Sequence, residues 1–280
     1  MHRKKVLHEA AFHIPVVLFG IVMIYPLLWM LMSSFKEGTE IFQSASFWPS
    51  RWITENYSYG WSGISGYSFA VFLKNSFFIV FVVMVGNVLS CSLTAYAFSK
   101  LNFPLRSFWF AIMMGTLMLP MHVRLIPQYI IYNQLGWVNT YLPLTVAKFF
   151  GTEGFFIFMM TQYMRGLPRE LDEASRIDGC GFFQHYARII LPLCVPSIIT
   201  TCIFSFIWTW NDFFAQMIYL SKVGTYTVAL ALRQYVDAMG NSYWGALFAM
   251  SVVSLIPLMV MFIGLQRYLV DGITAGSVKG

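Results

Sequence analysis

The chain has 280 residues, 58% of them hydrophobic and 11% charged, with a formal net charge of +6. An ordinary soluble domain carries about 25% charged residues, so this composition excludes a soluble fold with an appended anchor and leaves one membrane domain, 1–280. In such a chain an excess of Lys and Arg reads as topology, which removes the argument for nucleic-acid binding.

Arg3, Lys4 and Lys5 stand before an apolar run at 14–34. That run reaches the roughly 20 residues that span a bilayer, longer than a signal-peptide core, and no small-residue cleavage pattern follows it. It reads as the first transmembrane helix, with 1–13 before it. An outer loop at 35–69 follows, dense in aromatics such as Trp48, Trp52, Tyr57 and Trp61. An interfacial belt explains such residues; a surface for an external partner or a sugar is the alternative.

The second span, 70–99, contains the 25 uncharged residues between Lys74 and Lys100. The third, 105–131, carries Arg124 between Pro120 and Pro127. Two prolines open the hydrogen-bond ladder, so this span is expected to kink and flex. The fourth, 139–163, is interrupted by Lys148, Gly151, Glu153 and Gly154; Lys148 and Glu153 can neutralise each other. The fifth, 193–219, and the sixth, 243–266, flank an outer segment at 220–242. Continuous apolar runs favour helices over a barrel. The fold class is therefore all-α, with six transmembrane helices.

One set of ends and loops holds eleven Lys and Arg, from Arg3 to Lys279; the opposite set holds Lys36, Arg51, Lys222 and Arg233. The richer side faces the cytoplasm. Both termini then lie inside, with the loop 164–192 and the tail 267–280.

That loop departs from the apolar chain around it. Pro168 suits a first helical turn, and Glu170, Asp172 and Glu173 suit the positive end of a helix dipole. Leu167, Leu171, Ala174 and Ile177 recur at helical spacing. Gly179 can end the helix in a left-handed conformation, and Phe182, Phe183 and Tyr186 form a second apolar face. An amphipathic helix lying in the interface is one reading. The near balance of acids and bases favours a docking helix for a cytosolic partner instead.

The spacing Glu173, Ala174, Ser175, three residues, Gly179, nine residues, Ile189, one residue, Leu191-Pro192 resembles the signature of ABC-type importer permeases. The single departure is Ser175 where that family has Ala. The ending 266–280 is similar to the tail of the smaller permease subunit of maltose-type importers. The strings at 135–140, 166–174 and 210–212, with Asn56 and Tyr57, resemble the carbohydrate branch.

The resemblance implies a coupling helix between spans four and five that fits a cleft in an ATPase. It implies a tail whose Gly272, Thr274, Gly276, Lys279 and Gly280 reach the ATPase dimer. It implies a bacterial plasma membrane location and a saccharide substrate. The implied partners are a second homologous permease, two ATPase subunits, an external solute-binding protein and membrane lipid. A permease for a non-sugar solute and a secondary transporter are the alternatives.

No phosphate-binding Gly-x-x-x-x-Gly-Lys-Ser/Thr string is present. The chain is therefore expected to bind no cofactor and to be no enzyme, with ATP and Mg on a partner. His8-Glu9 with His13 lacks zinc spacing, and Ser33 to Lys36 matches Ser-x-x-Lys without its companion motifs. Cys91, Cys180, Cys194 and Cys202 read as packing residues, with no metal site. Polar groups inside spans mark paths or contacts; the pathway candidates are Arg124, Gln128, Trp210, Asn211 and Asp212. Arg124 and Lys148 would suit an acidic saccharide.

Overall fold

The computed structural model describes residues 2–236 and 243–274, with side chains for 13–236 and 243–268. The described residues are helical apart from connecting loops and one isolated bridge between Ile64 and Tyr67. Among the described residues, four helices are long and apolar enough to cross a membrane: His13–Ser33, Phe69–Lys100, Leu142–Arg165 and Trp244–Tyr268. Two bent helix pairs bring the number to six when each pair is counted as one span.

The third span differs from the expected single kinked rod. It is two helices, Arg106–Thr116 and Met121–Gln134, bent by 98°. Pro120 lacks an N–H and pushes the residue before it out of helical geometry, and its own ψ is 135°. The second helix runs on through Pro127, so the break belongs to Pro120 alone. The fifth span also differs. Its helix Val195–Asn211 stops at Asp212, and a separate helix Phe214–Tyr219 follows. At its other end the chain bends by 75° into Phe182–Leu193. The fourth span is interrupted as expected: a 3-10 turn at Val146–Phe150 and a left-handed Gly151 precede the helix Gly154–Arg165.

The chain divides into two compact units, one of residues 1–69 and 231–256, the other of 70–230 and 257–280. In the first, the segment 34–57 is tied by polar contacts. Lys36, with no exposed surface, donates from Nζ to the Ser46 carbonyl at 2.5 Å. Asn56 Nδ2 donates to the carbonyls of Ser34 and Lys36 at 2.9 and 2.8 Å. Ser50 donates to Glu40 from its N–H and its hydroxyl, which lowers the Glu40 carboxyl below its usual range. Trp48, Trp52, Tyr59 and Trp61 stay exposed around this frame.

In the second unit, Cys91, Tyr96, Phe156, Met160, Met164, Tyr186, Ile190 and Cys194 lie in one core cluster. Cys91 and Cys194 are buried there as small packing groups, and the described cysteines are free thiols, with Cys180 and Cys202 half-buried.

Asn56 leaves no room for change at its neighbour Gly245. A Cβ there would sit 2.3 Å from Asn56 Oδ1 and 2.6 Å from Nδ2, and Asn56 is held in place by its two hydrogen bonds. Gly245→Ala is therefore expected to destabilise the protein by about 1–3 kcal/mol, measured as a lower thermal midpoint in detergent. An unchanged midpoint would show that Asn56 can yield.

Candidate functional site

The loop predicted to dock is folded and firmly fastened. Its helix spans Arg169–Ile177, with Glu170 and Asp172 in the first turn and Arg176 in the last. Gly179 has φ +73°. The Cys180 N–H reaches the Ser175 carbonyl at 2.9 Å and the Gly179 N–H that of Arg176 at 3.1 Å. That pair of bonds is a Schellman motif, which satisfies the last carbonyls of a helix. No heavy atom lies within 4 Å of a Cβ built at Gly179. The glycine is required by backbone conformation, not by crowding.

The face that turns inward is polar. Lys100 Nζ lies 2.9 Å from Asp172 Oδ2, and the Lys100 side chain is only 6% exposed. His185 Nε2 is 3.2 Å from Asp172 Oδ1, and His185 Nδ1 is 2.9 Å from the Tyr96 hydroxyl. Tyr96 also reaches the Phe182 carbonyl at 3.1 Å. Ser175, at the position where the signature has Ala, is buried, and its hydroxyl donates to the Asp172 carbonyl at 2.8 Å. The extra oxygen is satisfied inside its own helix, so the departure leaves nothing unpaired.

Because the inward face is polar, the expected apolar stripe divides. Leu167 and Leu171 are partly buried and Ala174 is exposed. Ile177 is 86% exposed. The second expected face divides too: Tyr186 enters the core cluster, whereas Phe182 and Phe183 are 73% and 74% exposed. Glu173 is exposed beside Ala174. Ile189 and Leu191 pack against the core cluster, and Pro192 lies just before the bend at Cys194. Gly272 and Thr274 fall in the backbone of the helix Trp244–Thr274, beyond the described side chains. Gly276, Lys279 and Gly280 lie outside the described residues.

A cavity of about 530 Å³ lies in the same unit. Arg124, Gln128, Asn211 and Asp212 line it, as do Asn87, Trp208 and Tyr219. Trp210 does not. It is 4% exposed and stacks on Phe206 at 5.4 Å; a helix that turns residue 208 toward the cavity turns residue 210 away from it. Lys148 and Glu153 form an ion pair at the wall, as expected. Asp212 accepts the Ala215 N–H at 3.1 Å, so it borders the cavity and starts the next helix. Sequence reasoning raised both Trp208 and Trp210 as possible sugar contacts and carried only Trp210 forward, and it missed the Tyr96–His185–Asp172–Lys100 network. The four-residue spacing of Tyr96 and Lys100, which puts both on one helical face, was the available signal.

Residues 86–275 match the family model described as binding-protein-dependent transport system inner membrane component. The chain belongs to this family. It is 35% identical over 279 residues to a probable ABC transporter permease protein, YurM, of Bacillus subtilis, covering 99% of this chain and 91% of the relative. It is 32% identical to the trehalose/maltose transport system permease protein MalG of Thermococcus litoralis, over 99% of both chains. It is also 32% identical to the arabinooligosaccharides transport system permease protein AraQ of Halalkalibacterium halodurans, over 92% of both. The fold is that of a chain in the crystal structure of a bacterial ABC transporter involved in import of the acidic polysaccharide alginate. The TM-score is 0.81 at 21% identity, covering 95% of this chain and 98% of that one. This inner membrane component thus carries its signature on a loop with a buried polar side and an exposed apolar tip.

Removing one member of a mostly buried ion pair leaves the other uncompensated, at a penalty of about 3–5 kcal/mol at full burial. Asp172 is 24% exposed, so the penalty here is smaller. Lys100→Met is expected to speed amide exchange across 169–177 at least about tenfold, the equivalent of 1.4 kcal/mol. Hydrogen exchange with mass spectrometry on the purified protein reads this directly; unchanged protection would show that apolar packing alone holds the helix.

Proposed function

We propose that this chain is one of two homologous permease subunits of an ATP-driven saccharide importer, and that the loop 173–192 couples it to an ATPase. The observation that carries this reading is the loop itself. It is anchored to the helix Phe69–Lys100 by Lys100 and Tyr96, yet Ile177, Phe182 and Phe183 lie open at its tip. Exposed large apolar groups on a well-ordered element mark a contact surface, and a rigid anchor transmits displacement.

On this reading the whole chain is one permease domain in the bacterial plasma membrane, with both termini and the loop cytoplasmic. ATP and Mg reside on two ATPase subunits, and this chain holds neither. Closure of the ATPases moves Glu173, Ala174 and Gly179 as one body with the helix Arg169–Ile177. Ile189, Leu191 and Pro192 pass that movement into the bend before Val195–Asn211, and the pathway switches its open side. The tail 267–280 adds contacts to the ATPases. An external solute-binding protein delivers the substrate. The saccharide class is supported by the relatives that carry arabinooligosaccharide and trehalose/maltose transport in their names.

Gly179→Asp places a charged side chain on a residue whose φ is +73° and at the tip that would dock. It is expected to lower saccharide uptake at least about tenfold, more than 1.4 kcal/mol of coupling, while the protein stays in the membrane at normal abundance. Labelled-sugar uptake and an immunoblot of washed membranes check this. Normal uptake would overturn the coupling role.

A further inference from the structure

We infer that His185 is a positioning residue whose proton fastens the tip of the loop, so that the tip is held at acid pH and loosened as the pH rises. The latch itself is independent of the importer reading; its link to transport rests on the coupling role proposed above. The basis is a count of hydrogens around one imidazole ring.

His185 is buried, and each of its ring nitrogens meets a polar group. Nδ1 lies 2.9 Å from the Tyr96 hydroxyl. Nε2 lies 3.2 Å from Asp172 Oδ1. Nε2 and Oδ1 are both buried, and neither has another partner among the described residues. The other Asp172 oxygen is paired with Lys100 at 2.9 Å. Tyr96 has a second claim on its one hydrogen, because its hydroxyl donates to the Phe182 carbonyl at 3.1 Å.

A carbonyl and an ionised carboxylate only accept, and a neutral imidazole has one N–H and one bare nitrogen. With the hydrogen on Nε2, Asp172 is served, and Tyr96 must give its hydrogen either to Nδ1 or to Phe182. With the hydrogen on Nδ1, Tyr96 is free to serve Phe182, but a bare Nε2 faces the carboxylate. Only the imidazolium, with a hydrogen on each nitrogen, satisfies Asp172, Tyr96 and Phe182 together. Loss of its proton therefore removes one tie. The tie that can be given up is the one to Phe182. That carbonyl also receives the Tyr186 N–H, so it stays bonded when Tyr96 turns to the ring. Asp172 Oδ1 has no such second donor.

One small cavity holds the charged and titratable groups around the ring. Tyr96 and Lys100 line it from the helix Phe69–Lys100, Asp172 and Arg176 from Arg169–Ile177, and Cys180 from the turn that follows. Its volume of about 40 Å³ is enough for a water molecule, so protons can reach the ring from solvent. Histidine changes charge between about pH 5 and 8. Phe182 is 73% exposed at the tip. Releasing its carbonyl loosens the apolar end of the loop, while the Lys100–Asp172 pair keeps the helix Arg169–Ile177 in place.

The test is amide exchange across 179–185 in the purified full chain in detergent, corrected for the intrinsic pH dependence of exchange. Protection is expected to fall at least about threefold from about pH 6 to about pH 8. His185→Gln keeps an amide near Asp172 but takes up no proton, and Tyr96→Phe lacks the shared hydroxyl. Each variant is expected to change less than about 1.5-fold over the same range. A parent without the pH response, or variants that retain it in full, would overturn the latch. In the assembled transporter, the ratio of parental to His185→Gln ATP turnover is expected to change at least about twofold between the same two conditions. An unchanged ratio beside a pH-dependent tip would instead overturn the coupling role and leave the latch standing.

Discussion

Lys100, Asp172 and His185 make the contact on which the rest of this structure depends. A loop of charged residues has no favourable place in hydrocarbon, and left free it could transmit nothing. Asp172 meets Lys100 on one side and His185 on the other. Three chain segments are thereby joined: the end of the helix Phe69–Lys100, the helix Arg169–Ile177 and the turn at Phe182–His185. Desolvation makes such a cluster expensive unless every member is paired. The arrangement is consequently specific, because a displacement that parts Lys100 from Asp172 strands two charges.

The same long helix reaches the cavity. Asn87 sits at the cavity wall and Tyr96 at the loop, nine residues apart and therefore about 14 Å along the axis. The bend at Cys194 joins the loop to Val195–Asn211, which carries Trp208 and Asn211. Loop and cavity are thus two ends of the same pair of elements. Movement of one end has a short, stiff path to the other, with core packing from Tyr186 and Ile190 between them.

Hydropathy made the helical class and the apolar runs legible, and spacing made the loop legible down to Gly179. A kink near Pro120 was legible from its prolines, but its size and the stop at Asp212 were not, because hydropathy records how apolar a run is and not its direction. Pro120 and Pro127 look equivalent in the sequence; only the first coincides with a turn. The polar inward face of Arg169–Ile177 was hidden for another reason. Its partner Lys100 lies 72 residues away, and an apolar stripe counted locally cannot reveal a distant cation. Trp210 and Trp208 were separable only once the helix phase was known.

The open space around Gly179 has one more consequence. The turn there selects for handedness and not for volume: its φ is +73° and a Cβ would touch nothing. A mirror-image alanine would satisfy the backbone as well as glycine does, while an ordinary alanine would not. Within this chain the signature's glycine is therefore a statement about chirality. Any further demand for smallness at that position must come from whatever surface closes over the tip.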